Sequence, residues 1–140
     1  MKAVLAGALA YALAMALPGL GISATILASQ QPRRPDALGD FLVVLYITAL
    51  ATALSTAGFL LATAWSARWR AVTTRRAVLT AGLIGLIAPF VSLFVAGAGA
   101  TLMLRLFRTA PLAATAIFHG SGGVALGALA VIVVASRVRE

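Results

Sequence analysis

The sequence predicts an all-α membrane protein of four transmembrane helices, folded as two helical hairpins with both termini in the cytoplasm. Three observations carry this expectation. Of the 140 residues, 62% are hydrophobic and only 10% are charged, against roughly 45–50% and 25% in ordinary soluble domains, and mean hydropathy is +1.06. Residues 3–31, 41–67, 77–104 and 109–136 contain no Asp, Glu, Lys or Arg. The basic residues that remain fall in short clusters between those runs, as membrane-flanking charge does. A 14.2 kDa globule has too little interior to hide this much apolar surface from water. Soluble, disordered and fibrous classes are thereby excluded, and the net charge of +8 is read as a membrane pattern rather than as a nucleic-acid surface.

Each run exceeds the roughly 20 residues that cross a hydrocarbon core of about 30 Å. Backbone polar groups left unpaired in lipid are costly, so a span is a helix or a strand of a closed barrel. Barrel strands alternate over about 10 residues, and these runs do not alternate. The chain is therefore read as a single domain over residues 1–140, with helices at about 3–29, 41–66, 77–104 and 110–136.

The first helix is read as a span and not as a cleaved leader. Its apolar run is about twice the usual 7–15 residues of a signal-peptide core and contains Pro18-Gly19. Pro18, like Pro89 in the third helix, removes a backbone donor and is expected to kink its helix. The second helix carries Thr48, Thr52, Ser55, Thr56 and Thr63 within an arc of roughly 100°, which Phe59 shares. Such hydroxyls bond to neighbouring helices or to their own carbonyls. They serve either as interhelical glue or as one wall of a polar path. Between the second and third helices, residues 66–76 form the most basic stretch of the chain, and Trp65 and Trp69 are read as interfacial anchors beside it.

In the third helix Gly85, Pro89, Ser92, Ala96 and Gly99 form a small-residue seam, which lets helix backbones approach. The fourth helix holds His119, the one histidine, about 12 Å in from its non-cytoplasmic end. Ala116, Gly120, Gly123, Gly127 and Ala130 share its face, so Gly120, Gly123 and Gly127 join Gly85, Ser92 and Gly99 as expected packing positions. An ionisable residue within a span is a functional candidate by default. For His119 three uses stay open: a hydrogen-bonded packing residue, a contact for a proton or solute, and an axial ligand to haem or a chlorin.

Orientation follows from charge. Lys2, Arg68, Arg70, Arg75, Arg76, Arg137 and Arg139 share one side, and Arg33, Arg34, Arg105 and Arg108 the other. The richer side is expected to be cytoplasmic. The halves also share a layout: Lys2-Ala-Val-Leu5 is echoed by Arg76-Ala-Val-Leu79, and each half has a proline in its first helix and an Arg-x-Arg at its end. This fits either a parallel internal repeat or the common outline of any helical hairpin in a positive-inside membrane.

Catalytic signatures are missing from the sequence. It has no cysteine, no phosphate loop and no paired carboxylates, and its three acids all lie outside the apolar runs. Hydrolysis by His119 and a serine would lack an acid to orient the imidazole. The expectation is a non-enzymatic accessory or structural subunit of a larger membrane complex, with no cofactor of its own. Its partners are then the bilayer and other membrane subunits or further copies of itself. The alternatives are a small homo-oligomeric transporter or channel, and a cofactor-binding module built on His119. Ten arginines to one lysine, with abundant alanine, associate with a GC-rich bacterial genome, and hence with an inner membrane.

Overall fold

Long apolar runs close their backbone hydrogen bonds locally, and every regular element among the described residues is an α-helix. The computed structural model describes residues 1–29, 37–98, 105 and 108–136. The helices are α1 Lys2–Ser29, α2 Ala37–Trp65, α3 Ala67–Ala71, α4 Thr74–Ala98 and α5 Pro111–Ser136. α2 and α4 begin several residues before their expected starts at 41 and 77. Helical hydrogen bonding continues through Asp40, Arg75 and Arg76, so the edge of a charge-free run is not the edge of a helix. The expected stretch 99–104, with Gly99, lies outside the described residues, as do Arg33, Arg34, Arg137 and Arg139.

Three helices are long and apolar enough to cross a membrane, over Phe41–Trp65, Thr74–Ser92 and Ala113–Ser136. In α1 the corresponding apolar stretch is the shorter Lys2–Pro18, although its 28 residues reach about 42 Å.

α3 is an element that hydropathy did not separate. Ser66 adopts an extended conformation and breaks α2, and its hydroxyl accepts the Trp69 N–H at 3.2 Å, as a helix N-cap does. One turn later Val72 is extended and donates its N–H to the Trp69 carbonyl. This capped turn carries Trp69 inward.

The four long helices form a ring in the order α1, α4, α5, α2. α1 packs most extensively on α4 and α2 on α5, α1 meets α2 less extensively, and α4 meets α5 over the smallest area. The register of contacts fixes directions: Gly7 lies by Ala77 and Gly85 by Tyr11 and Ala14, so α1 and α4 run parallel. Gly123 lies by Ser55 and Gly127 by Phe59 and Ala62, so α2 and α5 also run parallel. A two-fold axis through the centre would set α1 and α4 on opposite corners. Here they stand side by side, and a sideways shift carries the first helix pair onto the second.

Along α1 and α4 most inward positions are small, with Tyr11, Met15 and Ile84 the large exceptions. The inward positions of α1 are Ala3, Val4, Gly7, Ala8, Tyr11, Ala14 and Met15, whereas Leu5, Leu9, Leu13 and Leu17 are 57–62% exposed. α4 repeats the pattern, with Ala77, Ala81, Gly85 and Ala88 inside and Leu79, Leu83, Phe90 and Phe94 outside. Small residues set the distance between packed helices, and large apolar ones face outward, as suits a lipid surround.

Candidate functional site

The centre of the ring is an aromatic and hydroxyl cluster. Tyr11 of α1 and Ser55 of α2 share a hydrogen bond of 2.7 Å between their hydroxyl oxygens. The Tyr11 ring stacks on Phe59 with centroids 4.3 Å apart, and Phe59 meets Trp69 edge-on at 6.0 Å. All three aromatic side chains are fully buried. The sequence reading of Trp69 as an interfacial anchor is corrected here: Trp65 is 84% exposed and suits that role, but the α3 turn directs Trp69 into the bundle beside Gly7. Its Nε1 is buried without a hydrogen-bond partner among the described residues.

The polar arc of α2 divides into three parts. Ser55 bonds to Tyr11, as above. The Thr63 hydroxyl is fully buried and donates to the Phe59 carbonyl of its own helix at 2.9 Å. Thr48, Thr52 and Thr56 line a groove of about 370 Å³ between α1 and α2, opposite Ala12 and Ala16. The Thr56 oxygen is buried and has no partner among the described residues.

The seam positions fall on different neighbours. A Cβ at Gly85 would lie 2.6 Å from the Tyr11 carbonyl oxygen, so α4 meets α1 there at backbone distance. Ser92 is half-buried. At Gly123 a Cβ would overlap the Ser55 carbonyl, and at Gly127 it would come within 2.8 Å of the Ala62 Cβ. Gly120 has open space at its Cβ position, but its carbonyl oxygen sits where a Cβ of Gly58 would go. Gly58 is thus the α2 half of this contact.

His119 lies at the flank of the buried α5 ridge and is half-buried, with its ring edge-on to Phe118 at 5.0 Å. Its Nδ1 is buried without a hydrogen-bond partner among the described residues. No group of three or more His, Asp or Glu side chains gathers among the described residues.

A second, larger groove opens between α4 and α5. It occupies about 1300 Å³ and runs from Arg68, Thr73 and Arg76 down to Ile87 and Leu129. Comparison of the chain with protein families, with curated proteins and with solved structures finds no match in any of the three.

Proposed function

We propose that this chain is a small integral membrane protein that serves as an accessory or structural subunit of a larger membrane complex, without catalytic chemistry of its own. The observation that supports this reading is the broad outward display of large apolar side chains, Leu5, Leu9, Leu13, Leu17, Leu83, Phe90 and Phe94 among them. Such a surface is covered in a bilayer by acyl chains or by neighbouring helices. The centre is filled by Tyr11, Phe59 and Trp69, which favours a solid support over a conduit through one copy. In this reading α1, α2, α4 and α5 are four spans in two hairpins of a bacterial inner membrane. The partners are other membrane subunits or further copies of the chain, not nucleic acid. His119 is a packing residue and no cofactor is assigned.

Positive-inside bias places both termini and α3 in the cytoplasm. The chain has no native cysteine, so Ala71→Cys alone reports this directly. An impermeant thiol reagent should label it in inverted vesicles but not in intact cells, and labelling in intact cells would reverse the orientation.

A second reading, a small homo-oligomeric transporter or channel, is favoured by the open groove that Thr48, Thr52 and Thr56 line. Native mass measurement after purification in mild detergent, paired with flux in proteoliposomes, separates the two. The subunit reading expects a heteromeric mass and no release of entrapped potassium or choline. A homo-oligomer whose flux falls with Thr52→Val would replace it with the transporter.

A further inference from the structure

α5 closes tightly on α2 but stands apart from α4, and the space left there has a distinct chemistry. Its mouth is formed by Arg68 of α3, Thr73 of the link that follows it, and Arg76 of α4. Apart from Thr80 and Ser136 its walls are apolar, with Leu83 and Ile87 on α4 and Leu129 and Val133 on α5. At about 1300 Å³ it exceeds the roughly 300–1000 Å³ of pockets for small molecules. From Arg76 to Ile87 the helix rises about 16 Å, half of a hydrocarbon core about 30 Å thick. The slot is therefore one leaflet deep and has its cationic end at the interface.

That combination selects an amphiphile with an anionic head. Guanidinium groups offer paired N–H donors to phosphate oxygens, and basic pockets between membrane helices hold anionic head groups. No acid competes nearby among the described residues: Asp40 sits at the opposite end of α2, about 38 Å along the helix from Trp65. Resting on the membrane reading above, we infer that this groove binds an anionic phospholipid, with its phosphate between Arg68 and Arg76 and its acyl chains along Leu83, Ile87, Leu129 and Val133. The lipid fills the gap that α4 and α5 leave and ties the two helices together.

Arg70 and Arg75 provide an internal control, because they lie on the same exposed basic stretch but do not line the groove. The test uses the full chain in neutral detergent, titrated with phosphatidylglycerol or phosphatidylcholine and followed by thermal unfolding and native mass. Phosphatidylglycerol should raise Tm and remain bound, and phosphatidylcholine should do neither. Arg68→Gln with Arg76→Gln should weaken phosphatidylglycerol about thirtyfold, from two contacts of the strength a basic residue gives near an anionic surface. Arg70→Gln with Arg75→Gln should change it less than threefold. Val133→Trp, which fills the slot, should release the lipid while the helical circular dichroism is kept. Equal stabilisation by both lipids, or equal loss in both double variants, overturns the site in favour of a diffuse charge effect. Stabilisation by glycerol phosphate alone overturns the lipid assignment in favour of a free phosphate. A chain that fails to float with vesicles of either lipid refutes the membrane reading itself, whereas one that floats but ignores phosphatidylglycerol refutes only the groove.

Discussion

α5 presents two faces that obey opposite rules. Toward α2 it offers Gly123 and Gly127, and the partner answers with Gly58, so that backbone meets backbone. Toward α4 it offers Leu129 and Val133, and there the helices separate around a groove. In water the bulkier, more apolar face would be the one to close. In lipid, acyl chains solvate leucine as well as another helix does, so close approach decides which faces associate. The face with Gly123 and Gly127 packs, with Leu126 buried beside it, and the face with Leu129 and Val133 does not.

The sharpest way to break this contrast is Gly123→Leu. Its side chain would have to enter the space held by the Ser55 backbone, and backbone cannot swing aside as a flexible side chain can. The expected cost is about 3 kcal/mol, the upper end for overpacked sites, read as lower Tm and lost helix contacts during detergent unfolding. A Gly123→Leu variant as stable as the parent would mean that α2 and α5 are not in contact at this position. The converse change should do far less. Leu129→Ala removes a large side chain, but from the groove wall, where it is 43% exposed. Its effect in detergent is expected to stay within about 0.5 kcal/mol, as at other surface positions. A loss of several kcal/mol there would show that α4 and α5 close on each other.

The helical class, and helices long and apolar enough to cross a membrane, were legible in the sequence, because hydropathy over 20 residues sums many small preferences into one. The Gly85 and Gly123 contacts lie at residues that a small-residue pattern picks out. Gly58 escaped notice for a geometric reason. At 100° per residue it falls roughly 60° beyond the edge of the hydroxyl arc, so the Ser55 hydroxyl reaches Tyr11 of α1 while Gly58 meets α5. Trp69 was misread because a tryptophan beside arginines looks the same whether its ring points out or in. Only the Ser66 cap and the one-turn helix after it decide that, and local propensity assigns no direction to such a turn. The α4–α5 groove was invisible for a third reason: it arises from which helices fail to touch, a property of the ring order rather than of any segment.

The parallel side-by-side placement of the two helix pairs has a consequence in time. Gly7 finds its neighbours near Ala77, and Gly58 finds its own near Gly120 and Val124, all some 60–70 residues later in the chain. At synthesis rates of about 5–20 residues per second, the first pair waits roughly 3–14 s for the segments that cover it. During that interval its glycine faces are bare, and the Trp69 indole has no finished pocket to enter. The newborn α1–α2 pair is thus a transient acceptor surface, open to any passing helix with small residues on one side, until α4 and α5 arrive and occupy it.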